Sequence, residues 1–164
     1  MNVKPIDQVL SQKVVAIVRL DDYDRAIEVA RALVAGGVTV LEFTLTGKGA
    51  LEAITSVRKQ LGAAACVGVG SVLHAEQAQA AIDAGAEFVV TPAVRKPVIA
   101  ACVNRDTLVL TGGLTPTELL EAYEAGSALV KLFPAQAFGA RYLKDVLAPL
   151  PFLKLVPTGG VSAE

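Results

Sequence analysis

The chain has 164 residues, of which 53% are hydrophobic and 19% charged, with 15 basic against 16 acidic side chains and a formal net charge of −1. Its length falls within the usual single-domain range of about 100–200 residues, and its apolar content excludes a disordered chain and supplies a sizeable core. The even charge balance, the lack of Trp and an aromatic content of 5% argue against a nucleic-acid surface, which needs a basic stripe or stacking rings.

In chain order, residues 1–13 have no long apolar stretch behind a basic start, so no signal peptide is expected. Pro5 suits the opening of a short helix there, which would cap one end of a sheet. Short β-branched runs follow at 14–19, 40–45, 66–72, 88–92, 108–112, 129–134 and 153–158. Between them, stretches of helical period cover 22–35, 48–61, 75–84, 116–125 and 141–147. The runs recur at intervals of about twenty to twenty-six residues, which matches a βα repeat rather than a helical solenoid. Three helical stretches close alike, on Ala35-Gly36-Gly37, Ala84-Gly85-Ala86 and Ala125-Gly126-Ser127, with Gly where a left-handed C′ residue is needed. The longest uncharged stretch, 60–75, is broken by Gly62, Gly68 and Gly70 and is too short to cross a bilayer.

Uninterrupted strand–helix alternation predicts an α/β fold, a (β/α)8 TIM barrel lacking its eighth strand, in one barrel domain over 1–164 that is incomplete at its C-terminal side. Active sites of such barrels lie at the C-terminal strand ends, so polar residues inside otherwise apolar runs are the candidates. Lys131 shares one face of its run with Leu129 and Phe133. Burial would lower its pKa and make it a nucleophile toward a carbonyl; snorkelling to water from the strand end is the alternative. Glu42 and Thr44 share the corresponding face of the second run, and an inward Glu42 could serve as a general acid/base or as a structural partner of Lys131.

Arg19 ends the first run and could grip a carboxylate or pair with Asp21 or Asp22. Thr158-Gly159-Gly160 after the seventh run exposes backbone N–H groups suited to a phosphate. Gly112 closes the fifth run in the same manner, facing a ligand or simply turning the chain. His74 reads as a residue at a helix start. Cys66 and Cys102 are far apart, with neither a CxxC pair nor a Cys/His cluster, so two reduced core cysteines and no metal site are expected.

The chain resembles the 2-keto-3-deoxy-6-phosphogluconate aldolases, class I Schiff-base aldolases with a TIM-barrel fold. The resemblance runs in order through Leu41-Glu42-Phe43-Thr44, Val67-Gly68-Val69-Gly70-Ser71-Val72, Phe88-Val89-Val90-Thr91-Pro92 and Leu114-Thr115-Pro116-Thr117-Glu118. It continues through Lys131-Leu132-Phe133-Pro134-Ala135 and Val156-Pro157-Thr158-Gly159-Gly160. It implies Lys131 as the Schiff-base lysine and Glu42 as the general acid/base. Arg19, Thr44, Ser71, Pro92, Gly112, Phe133 and Thr158 would bind substrate, and Gly159 and Gly160 the phosphate. The implied reaction is reversible cleavage of a 2-keto-3-deoxy-6-phospho sugar acid to pyruvate and glyceraldehyde 3-phosphate, without cofactor or metal. A cytoplasmic homotrimer in the Entner–Doudoroff pathway, with no nucleic-acid or membrane partner, is implied as well. Other readings stay open: an aldolase for the galactonate epimer, a noncatalytic barrel fragment or assembly subunit, or a phosphate-binding isomerase or epimerase barrel, which would need no imine.

Overall fold

The computed structural model describes residues 3–162. Pro5 opens α1 (Pro5–Gln12), at a position where its missing N–H leaves no hydrogen bond unmade. The strands are β1 (Ala16–Val18), β2 (Val40–Thr44), β3 (Cys66–Gly70), β4 (Phe88–Val90), β5 (Leu108–Gly113), β6 (Leu129–Leu132) and β7 (Leu155–Pro157). They are joined by α2 (Ala26–Ala35), α3 (Ala50–Leu61), α4 (Ala75–Asp83), α5 (Lys96–Val103), α6 (Pro116–Glu124) and α7 (Gly139–Leu147). All pairings are parallel and the strands lie side by side in chain order.

Alternation along the strands sorts the apolar residues into two layers. Val40, Cys66, Phe88, Val90, Leu110 and Leu129 point to one side and pack together with Val9 of α1, so the sheet curls around a lumen that α1 closes at one end. Leu41, Phe43, Val67, Val69 and Val89 point the other way, against Ala30, Ile54, Ala78 and Ile99 of the surrounding helices. Val130 and Leu132 do the same against Leu119, Ala122 and Val146. The α/β wall of seven parallel strands is thus a partial barrel, as the alternation of runs predicts.

The glycines after α2, α4 and α6 behave as expected: Gly37, Gly85 and Gly126 have φ of 87°, 100° and 112°, which a residue without Cβ adopts freely. Two elements differ from the sequence reading. The helix expected over 22–35 begins only at Ala26, because the Asp22 carboxylate accepts the Asp24 N–H and Tyr23 N–H donates to Lys48 O, drawing this segment into a loop. The helix α5 was not expected: its sequence, KPVIAACV, lacks a polar face and so shows no helical period.

Cys66 lies in the lumen and Cys102 in the outer layer, both buried and free. Burial pushes their thiols up to about 12 and about 11 respectively, which keeps them protonated and inert. Among the described residues β1 and β7 each pair on one side only. Between them runs a seam opening into a cavity of about 590 Å³, lined by Val9, Val15, Ile17 and Val156 and reaching Glu42 and Lys131.

Candidate active site

Alternation along β6 brings Lys131 into the lumen, since Leu129 two residues earlier faces inward while Val130 and Leu132 face the helices. The same parity on β2 turns Glu42 inward beside Val40, with Leu41 and Phe43 outward. Both are buried, Glu42 at 4% and Lys131 at 7% exposure. Room for them is made by glycine. Glu42 is in register with Gly68, and a Cβ on Gly70 would occupy the space of the Glu42 carboxylate. Lys131 is in register with Gly112.

Neither charge is neutralised by a close partner: among the described residues neither enters an ion pair within 4.0 Å. The structural salt bridge weighed as an alternative therefore does not form. Burial dominates both titrations. It raises the Glu42 carboxyl above its ordinary value of 4.5, against the opposing pull of Lys131 and Arg19. It lowers the Lys131 amine below its ordinary value of 10.5, with Glu42 opposing and Arg19 adding to the shift. The Lys131 Nζ stands 5.0 Å from the centroid of the Phe133 ring, whose face attracts a cation. A basic amine poised toward neutrality and a carboxyl poised toward protonation thus share one apolar chamber.

Arg19 follows β1, is exposed, and forms no ion pair with Asp21, Asp22 or any other described residue; its charge acts on both Glu42 and Lys131. Thr44 is fully buried and its hydroxyl is engaged, 3.2 Å from Tyr23 Oη and 2.8 Å from Thr46 Oγ1. That hydroxyl thereby also braces the strand end from which Glu42 projects. Ser71 follows β3 with φ of 62°, a left-handed backbone that non-glycine residues adopt only under local constraint. Pro92 and Gly112 meet at the ends of β4 and β5, where a Cβ on Gly112 would strike the Pro92 carbonyl and Thr91 O. That neighbour is backbone and cannot swing aside. Gly112→Ala is therefore expected to lower stability by about 1–3 kcal/mol, as overpacking does, which urea unfolding at constant m-value checks.

The segment after β7 is tied to the segment after β6: Thr158 N–H donates to Leu132 O at 2.9 Å, Ala135 N–H to Thr158 O at 2.8 Å and Gln136 N–H to Gly159 O at 3.1 Å. Gly159 and Gly160 follow with φ of 90° and 67°, and both line the cavity. Their own N–H groups have no hydrogen-bond partner among the described residues. His74 is the N-cap of α4, its backbone N–H donating to Gln77 Oε1 at 3.1 Å, and takes no part in the lumen. Among the described residues no group of three or more His, Cys, Asp or Glu side chains converges as a metal site would, and no helix is long and apolar enough to cross a membrane.

Two further residues shape the site without having stood out in the sequence. Thr91 accepts the Gly112 N–H at 3.2 Å and donates to Ala93 O at 2.8 Å, fixing the close approach of β4 and β5. Tyr23 joins the ends of β1 and β2 through its hydroxyl. No local pattern marks either one, because their partners lie in other strands.

Comparison with known proteins agrees with this geometry. The family described as KDPG and KHG aldolase matches residues 6–164. The chain is 38% identical over 150 residues to the 2-dehydro-3-deoxy-phosphogluconate aldolase of Treponema pallidum, covering 91% of this chain and 71% of that protein. It is 33% identical over 151 residues to the 2-dehydro-3-deoxy-6-phosphogalactonate aldolase of Escherichia coli, covering 92% and 74%. Among solved structures, the KDPG aldolase of Legionella pneumophila, with pyruvate captured at low pH as a covalent carbinolamine intermediate, superposes with a TM-score of 0.90 at 27% identity, covering 99% of this chain and 79% of that one.

Proposed function

The chain belongs to the KDPG and KHG aldolase family, and from that premise we propose that its lumen carries out class I aldol cleavage of a 2-keto-3-deoxy-6-phospho sugar acid, with Lys131 as the nucleophile. The observation that carries this is a buried lysine facing a buried, unpaired glutamate in one apolar chamber. A lysine placed there for stability alone would be paired or would reach water, because an unpaired buried charge is costly.

The steps follow from the two side chains. Neutral Lys131 adds through Nζ to the C2 ketone, and the resulting carbinolamine loses water to give a protonated imine. That cation draws electrons from C3. Glu42 takes the C4 hydroxyl proton, directly or through water, as the C3–C4 bond breaks, releasing glyceraldehyde 3-phosphate and leaving an enamine. The enamine regains a proton at C3, and addition of water to the imine frees pyruvate and the amine. The iminium is the electron sink, so the reading calls for neither metal nor cofactor.

Arg19 is suited to the substrate carboxylate, since it sits at the catalytic strand ends without a partner of its own. Ser71, Pro92, Gly112, Phe133 and Thr158 fit the roles of lining residues, and the free N–H groups of Gly159 and Gly160 suit the phosphate. We expect Arg19→Leu to raise the KM for the keto acid about 10- to 100-fold, the value of a charge-assisted hydrogen bond, with a smaller change in kcat. Equal losses in both constants would remove Arg19 from the binding role.

The direct test is to incubate the protein with pyruvate and borohydride, record the intact mass and map the modified peptide. A reduced pyruvate adduct on Lys131 is expected; a folded protein that takes up none refutes the reading. The galactonate epimer remains a second reading for the substrate, favoured by the 33% identity to the phosphogalactonate enzyme, and turnover of the two epimers side by side decides between them. A completed (β/α)8 barrel, a homotrimeric assembly, a cytoplasmic location and a place in the Entner–Doudoroff pathway complete the proposal, supported by the family match and by the curl of the strand wall.

A further inference from the structure

Tyr23 is buried although its neighbours Asp21, Asp22 and Asp24 all face solvent. Its Oη lies 2.8 Å from Val18 O and 2.9 Å from Thr44 O, so its proton is shared between carbonyls at the ends of adjacent strands. The same oxygen accepts the Thr44 N–H at 2.9 Å and stands 3.2 Å from Thr44 Oγ1, which is itself 2.8 Å from Thr46 Oγ1. The ring meets Phe43 edge-on, with centroids 5.6 Å apart. The backbone repeats the connection: Lys48 N–H donates to Asp21 O at 2.9 Å and Tyr23 N–H to Lys48 O at 3.1 Å, making a parallel bridge between the two loops. Gly47 leaves the space for it, since a Cβ there would strike Leu20 O and the Tyr23 ring.

The position of this clamp is informative. The β1–β2 ladder ends at the pair Val18 and Phe43. Arg19 is the next residue on one side, and Glu42 lies one residue inside the end on the other. The first strand is three residues long and is in register with β2 at only three positions. Ladder bonds alone therefore hold it weakly. The Tyr23 hydroxyl takes over where the ladder stops.

We propose that Tyr23 is a positioning residue of the aldol site, its hydroxyl holding the chain segment that carries Arg19 at a fixed distance from Glu42 and Lys131. This rests on the catalytic reading above. The charged groups involved can be named from every side of the lumen: Glu42 from β2, Lys131 from β6, and Arg19 from the end of β1. Glycines stand at the facing positions of β3 and β5, and Lys13 and Lys154 line the remoter part of the seam. Arg19 lowers the titration of both Glu42 and Lys131, so its distance from the pair is written into their pH behaviour.

The variant Tyr23→Phe keeps the ring and its contact with Phe43 and removes only the hydroxyl. Borohydride trapping of pyruvate on Lys131 is followed against pyruvate concentration and against pH. The half-saturating pyruvate concentration is expected to rise about tenfold, the worth of one charge-assisted contact, while the maximal trapping rate changes less. Both limbs of the pH profile are expected to move to higher pH, because withdrawal of the Arg19 charge raises both groups. A merely looser fold would reduce the trappable protein at every pyruvate concentration and leave the limbs in place. The milder variant Thr46→Val removes only the outermost hydroxyl of the chain and should shift the same quantities in the same direction by about threefold, a fraction of one hydrogen bond. Unchanged pyruvate dependence and pH limbs in Tyr23→Phe overturn the inference, as does an unchanged Thr46→Val if Tyr23→Phe fails to fold. A parent protein that traps no pyruvate overturns the aldolase reading itself, a separate and recognisable result.

Discussion

Replacing Lys131 by alanine abolishes the trapped pyruvate adduct and lowers cleavage by a factor on the order of 10⁴ or more, the scale seen when a covalent nucleophile is removed. The size of the effect follows from the geometry. The amine is the only atom on β6 that can reach a carbonyl in the lumen, since Leu129 and Phe133 flank it on the same face. Lys144 and Lys154 are exposed and cannot substitute for it. The fold should survive the change, because removing an unpaired buried amine also removes its desolvation penalty. An alanine variant that melts like the parent but still cleaves substrate would end the Schiff-base assignment. Circular dichroism for melting, intact mass for the adduct and an assay of substrate cleavage together distinguish the outcomes.

Glu42→Gln separates imine formation from bond cleavage. The amide fills the same space below Gly70 but cannot take a proton, so pyruvate trapping persists while turnover falls by about 10²- to 10⁴-fold, the usual worth of a general acid/base. The same substitution reads out the burial of the carboxyl. Below its ordinary pKa of 4.5 the group is protonated in both the folded and the unfolded chain and contributes no difference. As pH rises, the unfolded carboxyl ionises first, and the native state loses stability until the raised native pKa has also been passed. Glutamine carries no such loss. The variant should therefore melt higher than the parent at neutral pH, with the difference shrinking as pH falls toward 4.5. A difference of constant size across that range would mean that Glu42 is not desolvated in the folded protein.

Much of this molecule is legible along the chain because its strands are buried on both sides and therefore read as apolar runs. Such runs expose intruders: a lysine between Val130 and Leu132, or a glutamate between Leu41 and Phe43, is conspicuous without coordinates. The glycines of the Val67-Gly68-Val69-Gly70 segment are conspicuous too, but their purpose is not, since the space they leave for Glu42 appears only once β2 and β3 are in register. The helix α5 was hidden for the opposite reason, being apolar all round. Tyr23 was hidden because a helical stretch read over 22–35 absorbed it, and its partners Val18 and Thr44 declare themselves only in three dimensions. Thr44 is half legible in the same way: parity sets it beside Glu42, while the hold of Tyr23 and Thr46 on its hydroxyl appears only in three dimensions.

The apolar lining of the lumen sets the reactive pair apart from the surrounding medium, and burial is the leading cause of both titration shifts. That lining therefore acts as a dielectric control on the chemistry: apolar side chains that thin the solvent beside the pair drive the lysine further toward the free amine and the glutamate further toward the acid. Reactivity at Lys131 is thereby tied to residues such as Val90 and Leu110, which line the same cavity and carry no chemistry of their own.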